Sequence, residues 1–287
     1  MARETVCILH PGEMGSAVGK AALSGGARVL WVSSGRGETT LSRAREAGLE
    51  DVRTLGDALA ASGIVLSVCP PHAALAVAEE VAGARYSGVF VDANAISPDT
   101  ARRIGEVVGR GGARFVDGGI IGPPPEDPAR TRVYLAGPEA GRVASLFDGT
   151  ALSAVVLDAP AGAASAVKMC YAAWTKGTAA LLTSIRALAR AEGVETALAD
   201  EWRISQPDLF RLLDRAVGNS RKAWRWVGEM EEVAATFADA GLPAGFGQAS
   251  AEVFARLEAF KYARGAALED VLAALTGAGG VRPRAPR

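Results

Sequence analysis

One amine stands out among the residues able to do chemistry. The segment Gly162-Ala163-Ala164-Ser165-Ala166-Val167-Lys168-Met169-Cys170-Tyr171 sets Lys168 on an otherwise small and apolar helical surface. An ammonium is costly to hide there, and burial beside another positive charge disfavours its charged form, which suits a general acid/base. Ser165, Tyr171 and Ala172 lie three or four residues away and share its helical face, so Ser165 and Tyr171 are candidate substrate contacts. Lys176 is eight residues on, about 12 Å along the axis, and is read as serving another purpose. Spacing alone leaves two roles open for Lys168, catalytic acid/base or interface and salt-bridge residue.

A second constellation, His10-Pro11-Gly12-Glu13-Met14-Gly15, follows a β-rich run and opens a helix. Gly12 lets a backbone approach a pyrophosphate, Gly15 allows close packing of helix on strand, and the helix N-terminus offers free N–H groups to an anion. His10 replaces the usual first glycine. An ordinary βα turn is the alternative, but the preceding strand, the following helix and a second strand at the proper distance favour a dinucleotide site contacted by His10, Pro11, Gly12, Glu13 and Met14. No acidic residue ends the second strand to take the ribose 2′-hydroxyl of NAD. The segment Ser33-Ser34-Gly35-Arg36-Gly37-Glu38-Thr39 instead offers hydroxyls and a guanidinium, so Ser33, Ser34, Arg36 and Thr39 are expected to cradle the 2′-phosphate of NADP (NADPH). The other reading is a solvated turn in which Arg36 touches nothing.

Ligands of doubly wound sheets collect outside the carboxyl ends of the strands. Three further loops fall there. Cys69-Pro70-Pro71-His72 has the stiffness to wall the nicotinamide or ribose, with Cys69 a small filler rather than a nucleophile. Asn94 is a candidate contact to cofactor or substrate, whereas helix capping alone explains Ser97 before Pro98. Asp117-Gly118-Gly119-Ile120-Ile121-Gly122 reads as a glycine-rich turn whose free N–H groups hold an oxyanion, with a tight interstrand loop as the equal alternative. Gly118, Gly119 and Ile120 are therefore candidate substrate contacts.

The elements that must position these residues alternate. Strands are expected at Thr5–His10, Arg28–Ser33, Ile64–Val68, Val89–Asp92, Arg114–Asp117, Arg132–Ala136 and Ala154–Leu157, with helices at Glu13–Ser24, Gly37–Ala47, Ala73–Ala82 and Asp99–Gly109. That alternation predicts an α/β, Rossmann-type, doubly wound and mostly parallel sheet. After Asp158 the β-branched runs vanish, and helical periodicity continues from about Ala161 to Glu192, with further helices at Thr196–Arg203, Pro207–Val217, Arg221–Ala240, Phe246–Ala263 and Leu268–Leu275. The chain therefore divides into an NADP-binding domain (1–158), an all-helical substrate and dimerisation domain (159–276) entered by a long interdomain helix, and a disordered tail (277–287).

Composition narrows the function. Of 287 residues, 49% are apolar and 22% charged, which suits a soluble globular protein, and no apolar run is long enough for a membrane span. Lys plus Arg number 31 against 32 Asp plus Glu, without the basic excess of a nucleic-acid binder. Cys7, Cys69 and Cys170 form no paired spacing, and His10 and His72 have no metal-ligating neighbours, so reduced thiols, no metal and a cytoplasmic location are expected. The start MARETVCILH carries no signal-sequence pattern.

Taken together, these residues resemble the β-hydroxyacid dehydrogenase and 6-phosphogluconate dehydrogenase-like superfamily, in a bacterial branch of it, over nearly the whole chain. The resemblance implies that Gly12, Met14 and Gly15 bind the pyrophosphate, that Gly118 and Gly119 hold the substrate, and that Lys168 transfers the proton. It also implies a homodimer exchanging contacts through the long helix, which brings the segment Trp224 to Glu232 toward the cleft, with Trp226 as a further substrate contact; aromatic packing plus a solvated acidic face is the alternative, and it is favoured for Glu231 over Trp226 and Glu229. Two departures bear on the substrate: the family's asparagine four residues beyond the lysine is Ala172, and its Ser-Gly-Gly turn is Gly118-Gly119-Ile120-Ile121. The expected activity is hydride transfer between nicotinamide and a small hydroxy or oxo compound. Imine reduction and a non-catalytic NADP-binding protein are the alternatives.

Overall fold

The computed structural model describes residues 3–127, 130–209, 212, 215–261, 263 and 265–276, with backbone alone at 216 and 217. The expected tail at 277–287 and the middle of the expected helix Pro207–Val217 lie outside the described residues. The chain forms two compact units, residues 1–169 and 170–287.

The first unit is an eight-stranded sheet. Its strands are β1 (Thr5–Ile8), β2 (Arg28–Trp31), β3 (Glu50–Asp51), β4 (Ile64–Ser67), β5 (Val89–Asp92), β6 (Arg114–Ile121), β7 (Thr131–Ala136) and β8 (Leu152–Leu157), in the order β3-β2-β1-β4-β5-β6-β7-β8. All neighbours are parallel except β6 and β7, which pair antiparallel. The short central strands are apolar except at one end of each, at Thr5, Ser67 and Asp92, because both faces are covered, as parallel sheets require. Val6 and Ile8 face a core with Val18, Ala22 and Phe147, whereas Cys7 faces the opposite core with Leu59, Val77, Val81 and Ile104. The helices are α1 (Glu13–Ser24), α2 (Glu38–Glu46), α3 (Leu55–Ala61), α4 (Ala74–Gly83), α5 (Pro98–Arg110) and the short α6 (Ala140–Ala144). At the start of α5 the Ser97 side chain accepts from the Thr100 N–H, with Pro98 in the first turn, as the sequence predicts.

The sheet reverses direction of winding between β1 and β4, since β2 and β3 lie on one side of β1 and β4 and β5 on the other. A crevice opens where the crossovers diverge, at the carboxyl ends of β1 and β4, and the glycine loop enters it. β3 and α3 are absent from the sequence-based expectation. β3 is two acidic residues at the sheet edge, with no apolar pattern to betray it, and α3 is seven residues begun by the Thr54 cap.

One expectation is corrected here. Gly118, Gly119 and Ile120 form no turn: they continue strand β6, paired with Leu135, Tyr134 and Val133 of β7. The turn comes later, at Gly122, whose φ of +126° lies in the region that favours glycine. A glycine pair reads locally as a turn, but the antiparallel partner supplies the ladder that keeps the strand extended.

Helix α7 (Ala163–Ala191) has 29 residues, close to the expected span and about 44 Å long. The expected boundary at 158/159 falls ahead of the helix, while the units divide inside it at 169/170. Its first two turns belong to the sheet unit, and the helix start is hydrogen-bonded to Asp117 of β6. The second unit carries the rest of α7, α8 (Glu195–Ser205) and helices Ala216–Ser220, Val227–Asp239, Gly245–Arg256 and Leu268–Thr276. Val227–Asp239 and Gly245–Arg256 lie close enough that a Cβ on Gly247 would come within 2.7 Å of the Ala234 nitrogen. Among the described residues no helix is long and apolar enough to cross a membrane.

Candidate active site

The glycine loop begins with a tight reversal in which the Gly12 N–H donates to the His10 carbonyl at 2.8 Å. Gly15 closes it from beneath: a Cβ there would stand 2.2 Å from the His10 carbonyl oxygen. Gly12 differs, since a Cβ on it would meet nothing within 4 Å. Gly15 is therefore required by packing, while Gly12 leaves open space at the N-terminus of α1, the shape a phosphate needs. Pro11 is buried, Glu13 is exposed in the first turn, and Met14 rests its side chain on the core.

Beside the loop lies a cleft of about 220 Å³ lined by His10, Ser34, Arg36, Thr54, Glu80 and apolar residues that follow β1 and β2 or lie on α3 and α4. Two polar atoms in it are buried without a hydrogen-bond partner, His10 Nδ1 and Arg36 Nε. Native proteins rarely leave such atoms unsatisfied, so they mark a place where a polar ligand completes the site. Burial first, and the Arg36 charge second, push the His10 imidazole down to about 4, which keeps it neutral at pH 7. Among the described residues the Arg36 guanidinium reaches only the Leu9 carbonyl, at 3.4 Å. The residues present thus fit a dinucleotide: open backbone for the pyrophosphate, and a guanidinium with spare donors for an anion.

Of the four residues expected around a 2′-phosphate, Ser34 and Arg36 line the cleft. Ser33 supports the turn through its carbonyl, which accepts from the Arg36 N–H at 3.0 Å, and Gly35 takes a φ of +73° there. Thr39 is exposed on α2.

Asn94 is fully engaged within the protein. Its amide nitrogen donates to Asp92 Oδ2 at 2.7 Å and Ser67 Oγ at 3.2 Å, while its oxygen accepts from the Cys69 N–H at 2.5 Å. It therefore ties the ends of β4 and β5 together and fixes the Cys69-Pro70-Pro71 loop that lines the crevice, where Pro71 starts a 3-10 turn. Sequence reasoning missed Ser67 and Asp92, the two groups that hold the amide. Burial pushes the Cys69 thiol up to about 11, which makes it a poor nucleophile and fits the reading as filler.

The other missed residue is Asp117, completely buried at the last position where β6 pairs with β5. Its Oδ2 accepts from the backbone N–H groups of Gly162 and Ala164 at 2.8 Å and of Ser165 at 3.2 Å, and its Oδ1 accepts from Ser165 Oγ at 2.6 Å. A remote carboxylate thus caps α7. Burial raises its pKa against the lowering effect of these hydrogen bonds. A signal existed in the sequence: Gly162-Ala163-Ala164 opens a long helix with no capping side chain of its own, so its N–H groups had to be met from elsewhere. Ser165 serves that anchor.

One turn further, half-buried Lys168 stands against β6. A Cβ on Gly119 would lie 3.1 Å from Lys168 Cβ and 2.5 Å from the Ala164 carbonyl oxygen. The bare backbone of Gly119 is what admits α7 so closely, and it brings Gly119 and Lys168 together. Tyr171 and Trp226 belong to the helical unit. Trp226 packs edge-on to Phe254 at 5.1 Å and carries Lys176 over its ring at 5.7 Å, and Lys176 forms a largely buried ion pair with Glu229. Lys176 is thus committed to a contact of its own. Among the described residues no group of His, Cys, Asp and Glu is arranged to hold a metal ion.

Comparison with known proteins places this geometry. Residues 5–148 match the NAD binding domain of 6-phosphogluconate dehydrogenase, and residues 189–257 match a domain of unknown function (DUF1932). Among solved structures, the conserved protein MTH1747, described as structurally similar to 3-hydroxyacid dehydrogenases, is 27% identical, with 88% of this chain and 96% of that one covered and a TM-score of 0.68. The 3-hydroxyisobutyrate dehydrogenase of Mycobacterium tuberculosis, solved with L-serine, is 19% identical over 96% of this chain and 99% of its own, with a TM-score of 0.70. A reductive aminase from Aspergillus terreus, in complex with NADPH and ethyl-5-oxohexanoate, is 20% identical over 89% and 93%, with a TM-score of 0.56. The last two are likenesses of fold. Together these findings support a dehydrogenase-like oxidoreductase built on a nicotinamide-dinucleotide-binding domain.

Proposed function

We propose that this chain, which belongs to the family of the NAD binding domain of 6-phosphogluconate dehydrogenase, is an NADP-dependent oxidoreductase acting on a small hydroxy or oxo compound with Lys168 as its general acid/base. The observation that carries the reading is the cleft beside the glycine loop, where His10 Nδ1 and Arg36 Nε are buried without partners. A bound nicotinamide dinucleotide supplies or accepts the hydride. Gly12 and the N–H groups opening α1 receive its pyrophosphate, Ser34 and Arg36 its 2′-phosphate, and the loop held by Asn94 walls the crevice beyond. Lys168 Nζ gives a proton to the substrate oxygen in the reducing direction and takes it back in the oxidising one. Gly119 and Ile120 present backbone beside it for the substrate.

A second reading, reduction of a C=N bond, is favoured by Ala172. The residue one turn beyond Lys168 is 1% exposed and apolar, so no amide or other polar side chain stands there to fix a carboxylate substrate. Turnover of NADPH against paired ketoacids and cyclic imines separates the two. A titration in which the full chain takes up neither NADPH nor NADH eliminates both.

The chain is further proposed to act as a homodimer through α7. Trp174, Leu181 and Leu188 are 69%, 60% and 60% exposed and recur every seven residues, so they form one apolar stripe along the helix, the pattern by which helices of separate chains associate.

A further inference from the structure

His10 occupies the position where the glycine fingerprint has its first glycine, and nothing in pyrophosphate binding asks for an imidazole there. The short reversal to Gly12 and the buried Pro11 fix its backbone at the carboxyl end of β1, and its side chain lines the cleft with Arg36. The titratable or charged side chains of that cleft are few. The β1 loop gives His10, the loop before α2 gives Arg36, and α4 gives Glu80 at an exposed rim position, while the segment opening α3 gives only Thr54 and Leu55. Two buried nitrogens without partners, His10 Nδ1 and Arg36 Nε, therefore share one small space. An oxyanion in that space would satisfy both.

Building on the NADP reading above, we infer that His10 and Arg36 together bind the 2′-phosphate of the adenosine half, and that His10 takes up a proton as the phosphate docks. In the ligand-free protein the imidazole is neutral at pH 7, held down to about 4 by burial and by the positive charge of Arg36. A phosphate dianion placed between them cancels the opposing charge of Arg36 and attracts the imidazolium directly, and this attraction works against the burial that otherwise keeps the ring neutral. The proton comes from solvent and goes to the imidazole; no bond to the nucleotide forms. A nucleotide lacking the 2′-phosphate offers no such charge and binds without proton exchange. His10 would then be a specificity-determining residue, one that ties the preference for the phosphorylated cofactor to pH.

The test is calorimetric titration of the full chain with 2′,5′-ADP and with ADP at pH 7, each in two buffers of different ionisation enthalpy. A phosphate with a second pKa of about 6 is already mostly dianionic there, so its own ionisation contributes little and with the opposite sign. Expected is tighter binding of 2′,5′-ADP by about tenfold or more, with net uptake of roughly half a proton or more, and proton-neutral binding of ADP. His10→Gln, which keeps a polar side chain but cannot titrate, should lose the uptake and about tenfold of the preference for 2′,5′-ADP over ADP. His10→Gly, which restores the usual fingerprint residue, should behave alike, and thermal melts of both variants check that they fold. Binding of 2′,5′-ADP without proton uptake, or an unchanged preference in both variants, overturns this inference and leaves the NADP reading standing. Failure to bind either nucleotide overturns the two together.

Discussion

Ser165 Oγ donates to Asp117 Oδ1 at 2.6 Å, and through this pair the end of a β-strand dictates where a helix of 29 residues begins. The same carboxylate takes three backbone N–H groups of the helix start, so it neutralises donors that no local side chain could reach. Removing the acceptor leaves those donors buried and unmet. Asp117→Ala should lower stability by roughly 3 kcal/mol and Ser165→Ala by about 2 kcal/mol, read from denaturant midpoints. Wild-type midpoints in both variants would show that the anchor is dispensable.

Lys168 sits one turn beyond that anchor. Lys168→Ala should reduce kcat by about 10²- to 10⁴-fold, the range of a lost general acid/base, while NADPH affinity measured by fluorescence titration stays within a factor of two. Turnover equal to wild type eliminates the assignment.

Two glycines of the same loop make opposite predictions. Gly15→Ala drives a methyl to 2.2 Å from a backbone carbonyl and should destabilise the fold by about 1–3 kcal/mol. Gly12→Ala meets no protein atom within 4 Å, so the melting temperature should hold while dinucleotide affinity falls. Equal behaviour of the two variants in melts would contradict the division of labour between packing and ligand approach.

The neutral His10 also shapes the response to acid. Its pKa of about 4 in the folded chain lies below the ordinary 6.5, so between these values the unfolded chain binds more protons and stability falls as pH falls. Below pH 4 that loss is complete. His10→Gln should lack this component, and the difference between variant and wild type should grow by at most tenfold in the folding equilibrium per pH unit across the window. A constant difference from pH 7 to pH 4 would mean that the imidazole titrates normally.

The exposed stripe on α7 gives a test of assembly. Leu181→Glu combined with Leu188→Glu places charges at two of its three positions, and light scattering should then report a mass near 29.5 kDa where the wild type reports twice that. A wild-type monomer would remove the dimer from the proposal.

The sequence by itself determined whatever depends on neighbours along the chain. Strands β1, β2, β4 and β5 are legible as apolar runs, α7 as an unbroken helical pattern, the Ser97-Pro98 start of α5 as a cap, and the glycine loop by its place between strand and helix. The candidate site was readable to the same degree: His10, Gly12 and Arg36 announce themselves by position, and Lys168 by its solitude on a small-residue helix. Tertiary structure decided the rest. Gly118 and Gly119 look like a turn until β7 supplies their ladder and α7 packs against the space that Gly119 leaves without a side chain. Asn94 looks like a ligand contact until Ser67, Asp92 and Cys69 close around it. Asp117 looks like the end of a strand until the bare start of α7 arrives, and with it the division between units moves into that helix. Propensity and periodicity act over a few residues, whereas a buried hydrogen bond is satisfied by whichever donor the fold brings near, and no local pattern encodes which one that will be.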